Sequence, residues 1–117
     1  SDVSSGGDTN HDGYDELLIG VHLFDDEQAN EGAALAFFGG PDGLGLLPAW
    51  QAEGNKNDTY FGYALDAVGD TNGDGFDDIL IGSPLYRYEE IIKGAAFLYY
   101  GSYQSIIYPT YLPFIWR

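Results

Sequence analysis

A nine-residue acidic segment occurs twice in this chain, at residues 8–16 and 70–78, and each copy leads directly into a short apolar run. Both copies place Asp or Asn at positions one, three and five, glycine at six and an acid at nine. In the second copy these positions hold Asp70, Asn72, Asp74, Gly75 and Asp78, and Phe76 offers its backbone carbonyl at position seven. Alternating oxygen ligands with a glycine at the bend are typical of calcium loops, because Ca²⁺ prefers oxygen. The spacing therefore predicts a calcium loop that leads into a β-strand.

The two acidic segments belong to a longer internal repeat. Residues 8–39 align with residues 70–101 without a gap, at an offset of 62 positions, and nearly half of the aligned residues are identical. Such self-similarity is the signature of a repeat architecture. The chain is predicted to comprise two units, a first unit of residues 1–54 and a second unit of residues 55–117. The first unit has no counterpart of the Phe-Gly pair at 61–62, so its first strand is expected to be truncated.

Each unit is predicted to contain four short antiparallel strands and no helix. In the second unit the strands are expected at 61–68, 78–84, 94–100 and 112–116. No window has the apolar periodicity of an amphipathic helix, and Gly, Asp, Asn and Pro cluster at the junctions. The polar segment 25–31 is expected to be a solvated loop. Four-stranded antiparallel sheets repeated along a chain are typical of β-propeller blades.

Four features of the second unit occur together: the Phe-Gly pair at 61–62, the acidic loop, Gly82-Ser-Pro84 and Gly94-Ala-Ala96. In this combination the chain resembles the FG-GAP repeats, which form the blades of the seven-bladed propeller of integrin alpha chains and of many bacterial secreted proteins. The resemblance extends over nearly the whole chain. It implies an all-β fold of two four-stranded antiparallel blades, which together make an incomplete propeller.

The resemblance also implies up to two structural Ca²⁺ sites. Their ligands would be Asp8, Asn10, Asp12, the Tyr14 carbonyl and Glu16 in the first unit, and Asp70, Asn72, Asp74, the Phe76 carbonyl and Asp78 in the second. The first unit departs from the family pattern where Glu16 replaces the final aspartate, His11 replaces a glycine and His22 replaces a proline. Because glutamate is longer than aspartate, the first site is expected to be weaker or differently coordinated.

Other calcium-binding motifs require a different residue at position twelve of the loop. EF-hand loops require a bidentate glutamate there, whereas this chain has Ile19 and Ile81. Dockerin modules also need an acid at that position and a much shorter period. A simple solvated turn would explain one acidic segment, but two copies in register, each followed by the same strand pattern, favour calcium loops.

Composition excludes several classes of function. The chain has 19 acidic and 4 basic residues, a formal net charge of −15, so it cannot neutralise the phosphates of a nucleic acid or adhere to an anionic membrane. It has no cysteine, which excludes disulfides and thiolate chemistry. No nucleophile elbow or other catalytic constellation is present, and the repeated carboxylates are assigned to metal ligation. The chain is therefore expected not to be an enzyme.

These observations predict a calcium-binding propeller segment for extracellular protein or glycan recognition or adhesion. Extracellular calcium modules bind at about 10⁻⁴–10⁻³ M, which fits a location outside the cell or at its surface. The alternatives are non-catalytic repeats of a larger secreted enzyme, of polysaccharide lyase or phospholipase type, and a purely structural spacer. Two blades are fewer than a closed propeller needs. The expected partners therefore include the remaining blades of a longer chain, or further copies of this one.

Overall fold

The structure is a computed structural model that describes residues 2–26, 28–54, 56–88, 91–92, 94–103, 106 and 114–115. This part of the chain contains β-strands and no helix, which confirms the predicted all-β class. The strands are β1 (Asp2–Gly7), β2 (Glu16–Val21), β3 (Ala33–Phe37), β4 (Trp50–Glu53), β5 (Ala64–Gly69), β6 (Asp78–Ser83), β7 (Arg87–Tyr88), β8 (Ile91–Ile92), β9 (Ala95–Tyr99) and β10 (Phe114–Ile115). Within the described residues, no helical segment has the length and apolar character needed to cross a membrane.

The strands form two four-stranded antiparallel sheets with the same connectivity. The first sheet has the order β1-β2-β3-β4 and the second has the order β5-β6-β9-β10, so consecutive strands of each sheet are neighbours. Strands β7 and β8 form a separate hairpin between β6 and β9. Of the fourth strand predicted at 112–116, the structure describes Phe114–Ile115, which pair with β9. The two meanders are two blades of an incomplete propeller, as the sequence predicts.

The Phe-Gly pair lies outside the strands. Strand β5 begins at Ala64, later than the start predicted at Phe61, and β1 and β5 both contain six residues. Gly62 has a φ of +85°, a conformation that glycine adopts readily. Phe61 forms an isolated parallel bridge with Gly32 of the first unit. The pair therefore connects the two sheets instead of extending β5.

The two sheets pack face to face around one apolar core. The first sheet contributes Leu18, Ala34 and Ala36 to this core, and the second contributes Ile79, Ile81, Ala95, Phe97 and Tyr99. Phe61 lies between the sheets with 1% of its surface exposed, and its ring meets those of Phe97 and Tyr99 edge to face at 5.3 and 6.5 Å. Burial of this aromatic cluster stabilises the contact between the sheets.

The two sheets pack through faces that are not equivalent in the repeat. Successive side chains of a strand point to opposite sides of the sheet. Leu18 points toward the second sheet and is fully buried, whereas Leu80, its equivalent at the offset of 62, is half-buried on the outer face of the second sheet. That outer face carries a groove of about 350 Å³, lined by Ala64, Leu65, Asp66, Leu80, Gly82 and Ala96.

Close approach of the sheets depends on glycine at one position of β2. A Cβ added to Gly20 would overlap the carbonyl oxygen of Gly62. At the equivalent position in the second sheet, a Cβ added to Gly82 would have its nearest neighbour, Ala64 Cβ, at 3.6 Å. The two glycines are equivalent in the repeat, but only at Gly20 would a Cβ meet the Phe-Gly pair, whereas the Gly82 carbonyl accepts a hydrogen bond from the Gly62 N–H at 3.1 Å.

The expectation that segment 25–31 is solvated is wrong at Glu31. This residue is fully buried, because the segment that enters the second sheet covers it. Thr59 Oγ1 and the Phe61 N–H both donate to the Glu31 carbonyl oxygen, at 3.1 and 3.2 Å. Glu31 is therefore part of the junction between the two sheets.

Candidate metal centre

The two acidic segments form equivalent connections in the two sheets. The first loop, residues 8–16, joins β1 to β2, and the second loop, residues 70–78, joins β5 to β6. Each loop follows a shift in strand register that ends at a left-handed glycine, Gly7 at φ +69° or Gly69 at φ +74°. The β-bulge directs the chain out of the sheet at the same point in both units.

The aspartate at position one organises each loop by accepting backbone hydrogen bonds. In the first loop the Asp8 carboxylate accepts from the N–H groups of Asp12, at 3.1 Å, and Gly13, at 2.9 Å. In the second loop the Asp70 carboxylate accepts the equivalent bonds from Asp74, at 3.1 Å, and Gly75, at 2.7 Å. Both aspartates are thereby held toward the centre of the loop.

Position five makes the next contact in both loops. Asp12 Oδ1 accepts from the Tyr14 N–H at 2.9 Å, and Asp74 Oδ1 accepts from the Phe76 N–H at 3.1 Å. These bonds fix the backbone around position seven, where the sequence predicts a carbonyl ligand. The two loops therefore repeat the same turn, residue for residue.

The acid at position nine is buried in both loops and bonded to a threonine at position two. Glu16 Oε2 accepts from both the N–H and Oγ1 of Thr9, each at 2.6 Å. Asp78 Oδ2 accepts the same pair from Thr71, at 2.7 and 2.6 Å. These threonines are not among the site residues that the sequence predicts. Their identity at position two of both copies was the signal that could have identified them.

The second oxygen of the position-nine acid distinguishes the loops. In the second loop, Asp78 Oδ1 accepts a hydrogen bond from the Gly101 N–H at 3.1 Å. In the first loop, Glu16 Oε1 is buried, and the equivalent Gly39 N–H does not meet it with hydrogen-bond geometry. Burial raises the pKa of the Glu16 carboxyl, although the hydrogen bonds from Thr9 and a weaker interaction with the Gly39 N–H oppose the shift. A buried carboxylate oxygen without a donor is costly unless a cation lies beside it.

The first loop brings its predicted ligands together. One carboxylate oxygen from each of Asp8, Asp12 and Glu16 lies within 4.8 Å of the others. Asn10 Oδ1 is also buried without a hydrogen-bond partner. The donor set is oxygen only, which matches the preference of Ca²⁺. The predicted side-chain ligands of this loop thus include two buried oxygens that form no hydrogen bond within the part of the chain that the structure describes.

In the second loop, the acids at positions one and five accept hydrogen bonds from donors of the loop itself. Among the described residues, Asp70, Asp74 and Asp78 do not form a three-carboxylate cluster of this kind. In its hydrogen-bonded orientation, the Asn72 amide donates from Nδ2 to Asp74 Oδ1 at 2.9 Å and to Asp70 Oδ1 at 3.0 Å. The N–H of Gly75, with smaller contributions from neighbouring N–H groups, lowers the pKa of the Asp70 carboxyl. Rotation of the Asn72 amide would present oxygen instead of nitrogen to these acids.

The two loops lie side by side along one edge of the paired sheets. The Asp8 N–H donates to Asp77 Oδ2 at 3.0 Å, and the Asp77 N–H donates to the Asp8 carbonyl oxygen at 3.2 Å. The ring of His11, which replaces the family glycine and has a φ of +59°, lies 6.1 Å from that of Phe76. Asp77 is not among the site residues that the sequence predicts, because only the fold brings it to the first loop.

Comparison with known proteins agrees with this architecture. The FG-GAP repeat family matches residues 1–37 and 61–104. Integrin alpha-PS5 of Drosophila melanogaster is 32% identical over 105 residues, which cover 80% of this chain and 10% of that protein. Integrin alpha-6 and integrin alpha-7 of Homo sapiens are 32% and 31% identical, over 85% and 86% of this chain and 8% of each relative. The chain thus spans a tenth or less of the length of these curated relatives. The family match covers more than half of the chain, which therefore belongs to the FG-GAP repeat family.

Proposed function

We propose that this chain is a calcium-binding propeller segment in which both acidic loops hold structural Ca²⁺. The observation that carries the proposal is the pair of buried, unpartnered oxygens in the first loop, Asn10 Oδ1 and Glu16 Oε1. They occur in the loop where the carboxylates of Asp8, Asp12 and Glu16 converge. Three carboxylates at this separation repel one another, and a divalent cation would turn that repulsion into attraction.

The proposed ligands are those that the sequence predicts. In the first loop they are Asp8, Asn10, Asp12, the Tyr14 carbonyl and Glu16, and in the second they are Asp70, Asn72, Asp74, the Phe76 carbonyl and Asp78. Support for the second site comes from the hydrogen-bond pattern that it shares with the first at positions one, five and nine. The bound ion would neutralise each loop and stabilise the strand pair that it connects, because metal binding is coupled to folding of its ligands.

We further propose that the segment serves adhesion or recognition at the cell surface or outside the cell. The integrin alpha chains among its relatives support this role, and so does the calcium concentration that loops of this kind require, about 10⁻⁴–10⁻³ M. Residues 1–54 and 55–117 would act as two non-catalytic blades. Their partners would be further blades, in the same chain or in another copy, and an extracellular protein or glycan.

Calorimetric titration of the full chain tests the metal assignment. We expect the two loops to contribute up to two Ca²⁺ sites, with weaker binding of Mg²⁺, since the smaller ion demands octahedral geometry and loses its water reluctantly. Asp12→Ala should remove the first site and Asp74→Ala the second. Asp42→Ala, a change of the same charge in the exposed loop between β3 and β4, is the control and should bind as the unmodified chain does. Normal titration of both sites in the Asp12→Ala and Asp74→Ala variants would show that the ligands are wrong.

The recognition role is tested separately. The immobilised chain is presented to arrays of extracellular-matrix proteins and glycans in about 2 mM Ca²⁺, a concentration above the dissociation constants expected for such loops, and again in chelator. We expect calcium-dependent capture of at least one array component. Equal capture in calcium and chelator would contradict a calcium-dependent recognition surface.

A further inference from the structure

A second acidic cluster lies outside the two loops. One carboxylate oxygen from each of Asp26, Glu31 and Glu53 lies within 4.8 Å of the others. Asp26 and Glu31 belong to the connection between β2 and β3, and Glu53 ends β4. The cluster therefore joins two elements of the first sheet that are remote from the first loop in sequence.

Glu31 gives this cluster a property that exposed acidic groups lack. Its side chain is completely buried, with 0% of its surface exposed. Oε2 accepts a hydrogen bond from the Gln28 N–H at 3.1 Å, but Oε1 is buried without a hydrogen-bond partner. A buried carboxylate oxygen without a partner is unfavourable, and a cation at this point would remove that cost.

The carboxylates around Glu31 disfavour its negative charge when no cation is bound. Burial raises the pKa of the Glu31 carboxyl, and a side-chain hydrogen bond with Glu53 and the negative charges of Glu53 and Asp26 raise it further. Lys56 is engaged elsewhere: its ammonium lies 4.4 Å from the centroid of the Tyr86 ring and donates to the Arg87 carbonyl at 2.9 Å. Three carboxylates at one place, one of them inside the protein, form an oxygen-only donor set.

We propose that Asp26, Glu31 and Glu53 form a third divalent-cation site, selective for a hard, oxygen-ligated ion of the Ca²⁺ class. The site is not part of the repeated loop. At the offset of 62 residues, the positions of Asp26 and Glu31 hold Tyr88 and Lys93. The second unit therefore cannot form the same site, and the proposal is independent of the two acidic loops.

The location of Glu31 gives the ion a structural consequence. The Glu31 carbonyl oxygen accepts the hydrogen bonds from Thr59 Oγ1 and the Phe61 N–H. Glu53 lines a cleft of about 280 Å³ between the sheets, together with Gly54, Lys56, Phe61, Tyr86, Phe97 and Tyr99. A cation that fixes the Glu31 side chain would also fix the carbonyl that receives Phe61. The third site would thus stabilise the docking of one blade on the other.

The test counts Ca²⁺ bound by the full chain, using equilibrium dialysis against radioactive calcium. The variants are Glu31→Gln, which keeps the shape of the side chain, and Asp26→Asn, which changes an exposed residue. Asp42→Asn, also exposed, is the control for loss of one charge. We expect Glu31→Gln and Asp26→Asn each to bind one equivalent fewer than the unmodified chain, or to bind that equivalent at least tenfold more weakly, while Asp42→Asn binds the full number.

The combination with a loop variant separates the third site from the proposed loop sites. Asp12→Ala/Asp26→Asn should lose two equivalents if the sites are distinct. If Asp26→Asn binds the full number of ions with unchanged affinity, the third site is wrong, and Glu31 and Glu53 share a proton instead. If Glu31→Gln does not fold, Asp26→Asn decides alone. Loss of an equivalent in Asp12→Ala but not in Asp26→Asn would overturn this proposal and leave the loop assignment standing.

Discussion

The N–H of Asp8 donates to Oδ2 of Asp77 at 3.0 Å, and the N–H of Asp77 donates to the carbonyl oxygen of Asp8 at 3.2 Å. Asp8 is position one of the first loop and Asp77 is position eight of the second, so the reciprocal pair connects the two candidate metal sites. Movement of either backbone segment changes the other. Occupancy of one loop is therefore expected to favour occupancy of its neighbour.

Loss of the Asp77 side chain should weaken both the fold and the first loop. Asp77→Ala removes the acceptor of the Asp8 N–H, and a hydrogen bond to a charged group contributes about 1.5–3 kcal/mol. We expect a decrease of about this size in the free energy of unfolding in urea, and weaker Ca²⁺ binding at the first loop. Asp66→Ala, an exposed aspartate in β5, is the matched control. An equal effect of both changes would show that the Asp8–Asp77 connection has no special role.

Alanine should have opposite effects at the two equivalent glycines of β2 and β6. Gly20→Ala places a methyl group against the carbonyl of Gly62, and overpacking of this kind costs about 1–3 kcal/mol. Gly82→Ala meets its nearest neighbour at 3.6 Å, an ordinary contact, and reduces the entropy of the unfolded chain. Urea unfolding should show destabilisation by Gly20→Ala only. Equal destabilisation by both variants would contradict the assignment of Gly20 to the blade junction.

Truncation of Phe61 should destabilise the packing of the two blades and with it the folded chain. Removal of a buried phenylalanine side chain costs about 3–5 kcal/mol, a large part of the 5–15 kcal/mol, roughly, that stabilises a typical domain. We expect Phe61→Ala to be largely unfolded, or to melt at a much lower temperature, by circular dichroism. Leu46→Ala, at a leucine that is 96% exposed, should change stability by less than about 0.5 kcal/mol. A normal melting transition for Phe61→Ala would show that the sheets do not depend on this ring.

Removal of calcium should destabilise the chain by an amount that depends on ion concentration. A ligand that binds only the folded state at 100 times its dissociation constant adds about 2.7 kcal/mol per site. For a dissociation constant of about 10⁻⁴ M, that condition corresponds to about 10 mM Ca²⁺. Chelator should remove this stabilisation in thermal melts, and Mg²⁺ at the same concentration should restore little of it. An unchanged melting temperature after chelation would argue against structural calcium.

The sequence predicts most of the fold because its local signals repeat. Apolar runs such as Ile79–Ile81, glycine-rich turns and the period of 62 residues locate β2, β3, β6 and β9 closely. The start of β5 is less well predicted. Phenylalanine has a high propensity for β-strands, but Phe61 is held outside β5 by its contact with Gly32 of the other sheet. A contact between residues this far apart in the chain cannot be predicted from the local residue pattern.

The candidate site was likewise predictable only where local sequence decides the structure. Positions one, five and nine of each loop follow from spacing alone, and their internal hydrogen bonds match between the copies. The contrast between Glu16, which keeps an unpartnered oxygen, and Asp78, which is bonded to Gly101, depends on side-chain length in a particular backbone. The burial of Glu31 inside a polar segment depends on coverage by Thr59 and Phe61, nearly 30 residues later in the chain.

The use of opposite faces by Leu18 and Leu80 determines how further subunits or blades would assemble. Each contact joins one face to a different face, so it is heterologous. A dimer with a two-fold axis pairs identical surfaces and cannot reproduce this contact. Repetition of the same rotation produces a ring if the rotation closes and a helical filament if it does not. The geometry of one blade pair therefore decides whether assembly stops or continues.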